Sequence, residues 1–101
     1  MGVFLMAASA NRIVPYNGMT IDDCAARIRN AMYMLRWTSR EMPGMFTASV
    51  PMSLLSWGEE ITIRLYQDCF SIESKCAMPL TLIDWGKNQK NIDQFLAAFY
   101  A

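Results

Sequence analysis

Apolar side chains recur along this chain in two rhythms. Between residues 21 and 36, Ile21, Cys24, Ile28, Met32 and Leu35 follow steps of three, four, four and three, one stripe on an α-helix. Thr20 stands in front of the stripe as an N-cap. Asp22 and Asp23 fall in the first turn, where carboxylates oppose the positive end of the helix dipole. Asp23 also lies three residues after Thr20, in the manner of a capping box. Near the C-terminus Ile92, Phe95, Leu96 and Phe99 occupy positions i, i+3, i+4 and i+7, which predicts a second amphipathic helix. Asp84 or Asn88 is its expected cap.

The second rhythm is alternation. Phe46, Ala48 and Val50 alternate with Thr47 and Ser49 before Pro51, and Ile61, Ile63 and Leu65 alternate with Thr62, Arg64 and Tyr66. Both patterns predict half-buried strands. Gln67-Asp68 reads as a turn into a strand over 69–74, though without the glycine of a primed hairpin turn. Residues 3–8 are apolar or small throughout and predict a first strand buried on both faces. Residues 11–18, with Pro15 and Asn17-Gly18, read as a connection, as does the stretch closed by Pro43-Gly44. Residues 80–83 form a short apolar segment. The expected order is β-α-β-β-β-α: one α+β domain over residues 1–101, an antiparallel meander sheet with two helices packed on one face.

Composition narrows the function classes. Of 101 residues, 53% are apolar and 18% charged, too much apolar mass for a disordered chain. Nine basic and nine acidic residues cancel, so counterion release offers little and nucleic acid is not the expected partner. Arg27, Arg29, Arg36 and Arg40 lie close to Asp22, Asp23 and Glu41, as on a solvated helix face. With no histidine, Ser-His-Asp and Cys-His machinery is excluded. Three cysteines, Cys24, Cys69 and Cys76, form no Cys-x-x-Cys pair; they predict reduced thiols, a cytoplasmic setting and no metal site. No cofactor is implied. Ala8-Ser9-Ala10 imitates a cleavage site but no Lys or Arg precedes it, and Met6 stands where a myristoylation signal needs Ser or Thr. No run approaches the length of a membrane-spanning helix.

Asp84-Trp85-Gly86-Lys87-Asn88-Gln89-Lys90-Asn91 is the most distinctive stretch. A glycine and a lysine at a helix start can hold an anion, so Lys87, Asn88 and Asn91 are the candidate ligand-binding residues. The competing reading has Asp84 capping, Gly86 allowing close approach and Trp85 packing. With Ser56-Trp57-Gly58-Glu59, Ile61-Thr62-Ile63, Ile72-Glu73-Ser74-Lys75-Cys76, Ile83 and Ile92, this stretch resembles a set of uncharacterised small bacterial domains. They share a serine-x-serine element and an Asp-Trp-Gly-Lys-Asn ending. The resemblance covers the second half of the chain and departs at Cys76, where a small polar residue is common. It implies a cytosolic bacterial module, of a kind found beside membrane segments, and no activity.

Cys76 follows Lys75, whose ammonium could activate a thiol, but no base is in view. Cys24 falls on the helix stripe and reads as core. The adjacent carboxylates Asp22/Asp23 and Glu59/Glu60 diverge rather than converge on a substrate. Nine methionines are many for this length; Met32, Met34, Met42, Met45 and Met52 crowd the helix-to-strand connection, and core packing is their expected role. The loop holding Met52, Leu54, Leu55 and Trp57, bounded by Pro51 and Gly58, is the candidate partner contact. The resulting expectation is a non-enzymatic interaction or ligand-binding module, meeting itself as a homodimer or another protein. The alternatives are a cytosolic membrane-proximal regulatory domain that touches a membrane surface, and a small enzyme or anion-binding protein using residues 84–91.

Overall fold

A computed structural model describes residues 8–52, 57–77 and 86–101. The elements are β1 (Ser9–Pro15), α1 (Ile21–Met34), β2 (Thr38–Met42), β3 (Met45–Val50), β4 (Glu59–Leu65), β5 (Cys69–Cys76) and α2 (Lys87–Tyr100). The strands form one antiparallel sheet in the order β1-β5-β4-β3-β2. The class is α+β, with β2 to β5 a meander, β1 added beside β5, and both helices over one face.

The core is built as the two rhythms require. Cys24, Ile28, Ala31 and Met32 from α1 and Ile92, Phe95 and Phe99 from α2 meet Phe46, Ile61, Ile63, Phe70 and Ile72 from the sheet. Phe70, Phe95 and Phe99 contact one another edge-on and stacked. Trp37 stacks on Phe95 from the α1–β2 turn. The opposite face carries polar rows such as Arg40, Thr47, Thr62, Glu73 and Asn11, in register across five strands. An antiparallel sheet with one solvated face alternates in this way.

Several expectations need correction. β1 runs over Ser9–Pro15, so the expected connection from residue 11 is mostly strand. Its inward positions include Arg12 beside Val14, which blurs the alternation. Pro15 is tolerated because β1 is an edge. Of the expected strand over 3–8 only Ala8 is described, and it precedes β1. β2 is an additional strand: TSREM offers no apolar alternation because this short edge is exposed along almost its whole length. Pro43-Gly44 is the hairpin turn between β2 and β3, with Gly44 at φ 71, as Pro-Gly at the centre of a type II turn permits. β4 and β5 each extend further than expected, taking in Glu59 at one end and Cys76 at the other.

α1 ends at Met34 rather than 36, and Ile21 is 44% exposed, so the stripe begins at Cys24. The Thr20 cap is present, its Oγ1 accepting from the Asp23 N–H at 3.0 Å. α2 starts after Gly86 (φ 75) with no side-chain cap bond, so Asn88 is a helix residue and not a cap. Asp84 and the segment 80–83 lie outside the described residues. Of the crowded methionines only Met32 is core; Met34 and Met52 are exposed, while Met42 and Met45 are half-buried.

Strand direction gives the molecule two distinct ends. Ser9, Thr38, Val50, Glu59, Cys76 and the start of α2 lie at one, called here the α2-entry end. Pro15, Leu65, Cys69 and the start of α1 lie at the other, the α1-entry end.

Candidate functional site

The stripe of α2, followed backwards from Phe95 and Ile92 in steps of four, lands on Asn91 and Asn88. Both are fully buried, so this helix presents two amides to the sheet where an ordinary stripe would present aliphatics. The sheet answers in kind. Glu59 is in phase with the inward Ile61 and Ile63, and Ser74 and Cys76 are in phase with Ile72. These side chains converge at the α2-entry end.

Asn91 Nδ2 donates to Glu59 Oε1 at 2.7 Å and to Ser74 Oγ at 3.2 Å. Ser74 Oγ in turn donates to Asn88 Oδ1 at 2.8 Å. Asn88 Nδ2 reaches the Ala8 carbonyl at 2.9 Å and Cys76 Sγ at 3.4 Å. Lys87 Nζ donates to Asn91 Oδ1 at 3.0 Å and stands 3.8 Å from Glu59 Oε1. The Glu59 side chain is 0% exposed, and its Oε2 has no hydrogen-bond partner among the described residues.

This arrangement is a clasp. A buried carboxylate is tolerated when hydrogen bonds and a counter-charge meet it. Here the counter-charge is Lys87 together with the positive end of α2. Lys87, Asn88 and Asn91, the three residues singled out for ligand binding, are thus brought together. Their polar groups turn inward, and the anion at the helix start is the protein's own Glu59. Glu59 and Ser74 escaped the sequence reading, although their inward phase was a usable signal.

Lys75 and Cys76 point to opposite faces of β5, so the ammonium does not sit over the thiol as sequence adjacency suggested. Glu59 and Glu60 diverge for the same reason. Burial pushes the Cys24 thiol up, reinforced by Asp23. Burial also raises Tyr16, whose hydroxyl donates to the Tyr66 carbonyl at 2.6 Å. Cys69 is raised by desolvation and by Asp68. At Cys24 the lowering influence of Arg27 is outweighed by burial and Asp23. Among the described residues no three His, Cys, Asp or Glu side chains gather as metal ligands.

Of the partner-contact candidates, Met52 and Trp57 lie at the same end of the sheet. Met52 is 68% and Trp57 63% exposed; Leu54 and Leu55 lie outside the described residues. Next to Trp57, Gly58 takes φ 89, where a Cβ would stand 2.9 Å from the Val50 carbonyl oxygen. Only glycine fits that approach. The α1–β2 turn adds exposed Tyr33 and Met34, which with Arg36 and Trp37 line a shallow hollow. That turn is a Schellman motif: Trp37 N–H donates to the Met32 carbonyl and Arg36 N–H to that of Tyr33, both at 3.1 Å. Arg36 takes the left-handed position, φ 59, that glycine usually fills.

Comparison with protein-family models, with curated proteins and with solved structures finds no match for this chain.

Proposed function

We propose that this chain is a non-catalytic interaction module that meets its partner through the α2-entry end of the sheet. The observation that carries the reading is the exposure of Met52 and Trp57 at the end of the sheet where Gly58 packs its backbone against Val50. Tryptophan is seldom left in water, and Trp and Met are enriched where proteins meet partners. Tyr33 and Met34 extend apolar exposure along the same end. The polar groups best suited to hold a small ligand, Asn88 and Asn91, are engaged inside the clasp instead, which favours surface contact over a pocket. The three unpaired thiols support a cytoplasmic setting.

A photo-crosslinking amino acid placed at Trp57 or Met52, in cells expressing the chain, tests this reading. Adducts are expected from both positions and not from Ile13 on the polar sheet face. Equal labelling from all three positions would refute the reading. Light scattering over a concentration series identifies the case in which the partner is a second copy.

A further inference from the structure

The charges of this neutral chain are not evenly placed. Asp22 and Asp23 at the start of α1, and Asp68 in the β4–β5 turn, lie at the α1-entry end. At the α2-entry end stand Arg36, Lys75 and Lys90, all exposed, and the half-buried Lys87. None of the ion pairs among the described residues involves Arg36, Lys75 or Lys90. Among the described residues the acidic side chains at this end are Glu59, sealed in the clasp, and Glu60, which faces Lys75 across the strands.

The lysines also break a local rule. The first turn of α2 has no acidic residue, and Lys87 and Lys90 add positive charge where the helix dipole is already positive. Glu59 answers Lys87 from within. Nothing among the described residues answers Lys90. Among the described residues this helix start is electropositive twice over, which suits an external anion, and the exposed Trp57 and Met52 at the same end of the molecule suit an apolar medium. One partner supplies both at once, since a bilayer offers headgroup charge over an apolar interior.

We infer that the α2-entry end docks on the surface of a membrane rich in anionic lipid. The indole of Trp57 and the thioether of Met52 enter the interface, while Arg36, Lys75 and Lys90 lie over the headgroups. This rests on the interaction reading above and names its partner. No described helix is long and apolar enough to cross a membrane, and the contact inferred is a surface one.

Flotation of the full chain with vesicles of phosphatidylcholine alone, and of phosphatidylcholine with phosphatidylglycerol, tests the inference. Binding is expected only to the anionic vesicles and should weaken as salt shortens the reach of surface charge. Neutralising Arg36, Lys75 or Lys90 to Gln should each lower partitioning about fivefold. Trp57→Ser should lower it about tenfold or more, and Ile13→Ser should leave it unchanged. Thermal unfolding of each variant shows whether its fold is intact. Absence of flotation by the parent chain at low salt overturns the inference, as does flotation indifferent to all four substitutions. If vesicles are ignored while Trp57 crosslinks to a protein, the membrane inference falls and the interaction reading stands. If neither occurs, both fall.

Discussion

The two helices are alike in size and dissimilar in how they begin. Each has 14 residues and one face in the shared core. α1 is started by its own sequence: Thr20 accepts a backbone N–H, and Asp22 and Asp23 answer the dipole. Among the described residues α2 has no such aids. Its cap position is a left-handed glycine, its first turn carries lysines, and the negative charge it needs arrives on β4 as Glu59. A helix start can therefore be satisfied from the neighbouring residues or from across the fold, with different consequences. The local solution is exposed and modest in energy. The remote one is buried, so it ties the helix to one register on the sheet, and losing any member strands the others.

Asn91→Leu is the sharpest way to break this contrast. It removes the amide that Glu59 and Ser74 both use and leaves a buried carboxylate without that bond, at a cost of about 3 kcal/mol, measurable by urea unfolding. Adding Glu59→Leu should recover part of that loss, because the stranded charge is gone and Lys87 can extend into water. A double variant less stable than Asn91→Leu alone would show that the clasp stabilises as a set of bonds rather than by avoiding an orphan.

The corresponding change at α1 should be milder. Thr20→Ala deletes a solvent-exposed cap bond and is expected to cost about 1 kcal/mol. Hydrogen exchange should speed up in the first turn of α1 and stay unchanged in α2. If protection in α2 falls equally, the two starts are coupled and the distinction between local and remote solutions is lost.

At the other end of α1, Arg36→Gly should stabilise by about 0.5 kcal/mol. Relief of the left-handed strain, roughly 1 kcal/mol, slightly exceeds the added freedom of a glycine in the unfolded chain. A rise in the urea midpoint, together with weaker anionic-vesicle flotation, would mark Arg36 as retained for contact at the expense of stability.

The smallest effect expected is alkaline. Cys24 and Tyr16 have raised folded-state pKa values, so above the ordinary thiol range the unfolded chain loses protons that the fold retains. Stability from these groups is complete below their unfolded pKa values and declines as pH rises above about 8.5. Urea midpoints from neutral to alkaline pH should fall, and Cys24→Ala should flatten the first part of that slope.

Some elements were readable because their signal is local. The α1 stripe from Cys24 to Met32, the Thr20 cap and the alternation around Ile61 and Ile63 each lie within a few consecutive residues. β2 was missed because an exposed edge strand buries almost nothing and so leaves no apolar period, and β1 was misplaced because Arg12 interrupts its inward row. The trio Lys87, Asn88 and Asn91 was visible as a motif, yet its spacing alone suggested a ligand. Their orientation depends on Glu59 and Ser74, which lie 32 and 17 residues from Asn91.

The chain's own residue order thus determined which segments are amphipathic and which face of each is apolar, since periodicity is set by backbone geometry. Tertiary structure alone decided that the polar ends of three such segments would meet, and that the positive start of α2 would be answered by a carboxylate from β4. That outcome depends on strand order and register, which bring distant polar groups within hydrogen-bond reach where burial limits competition from solvent.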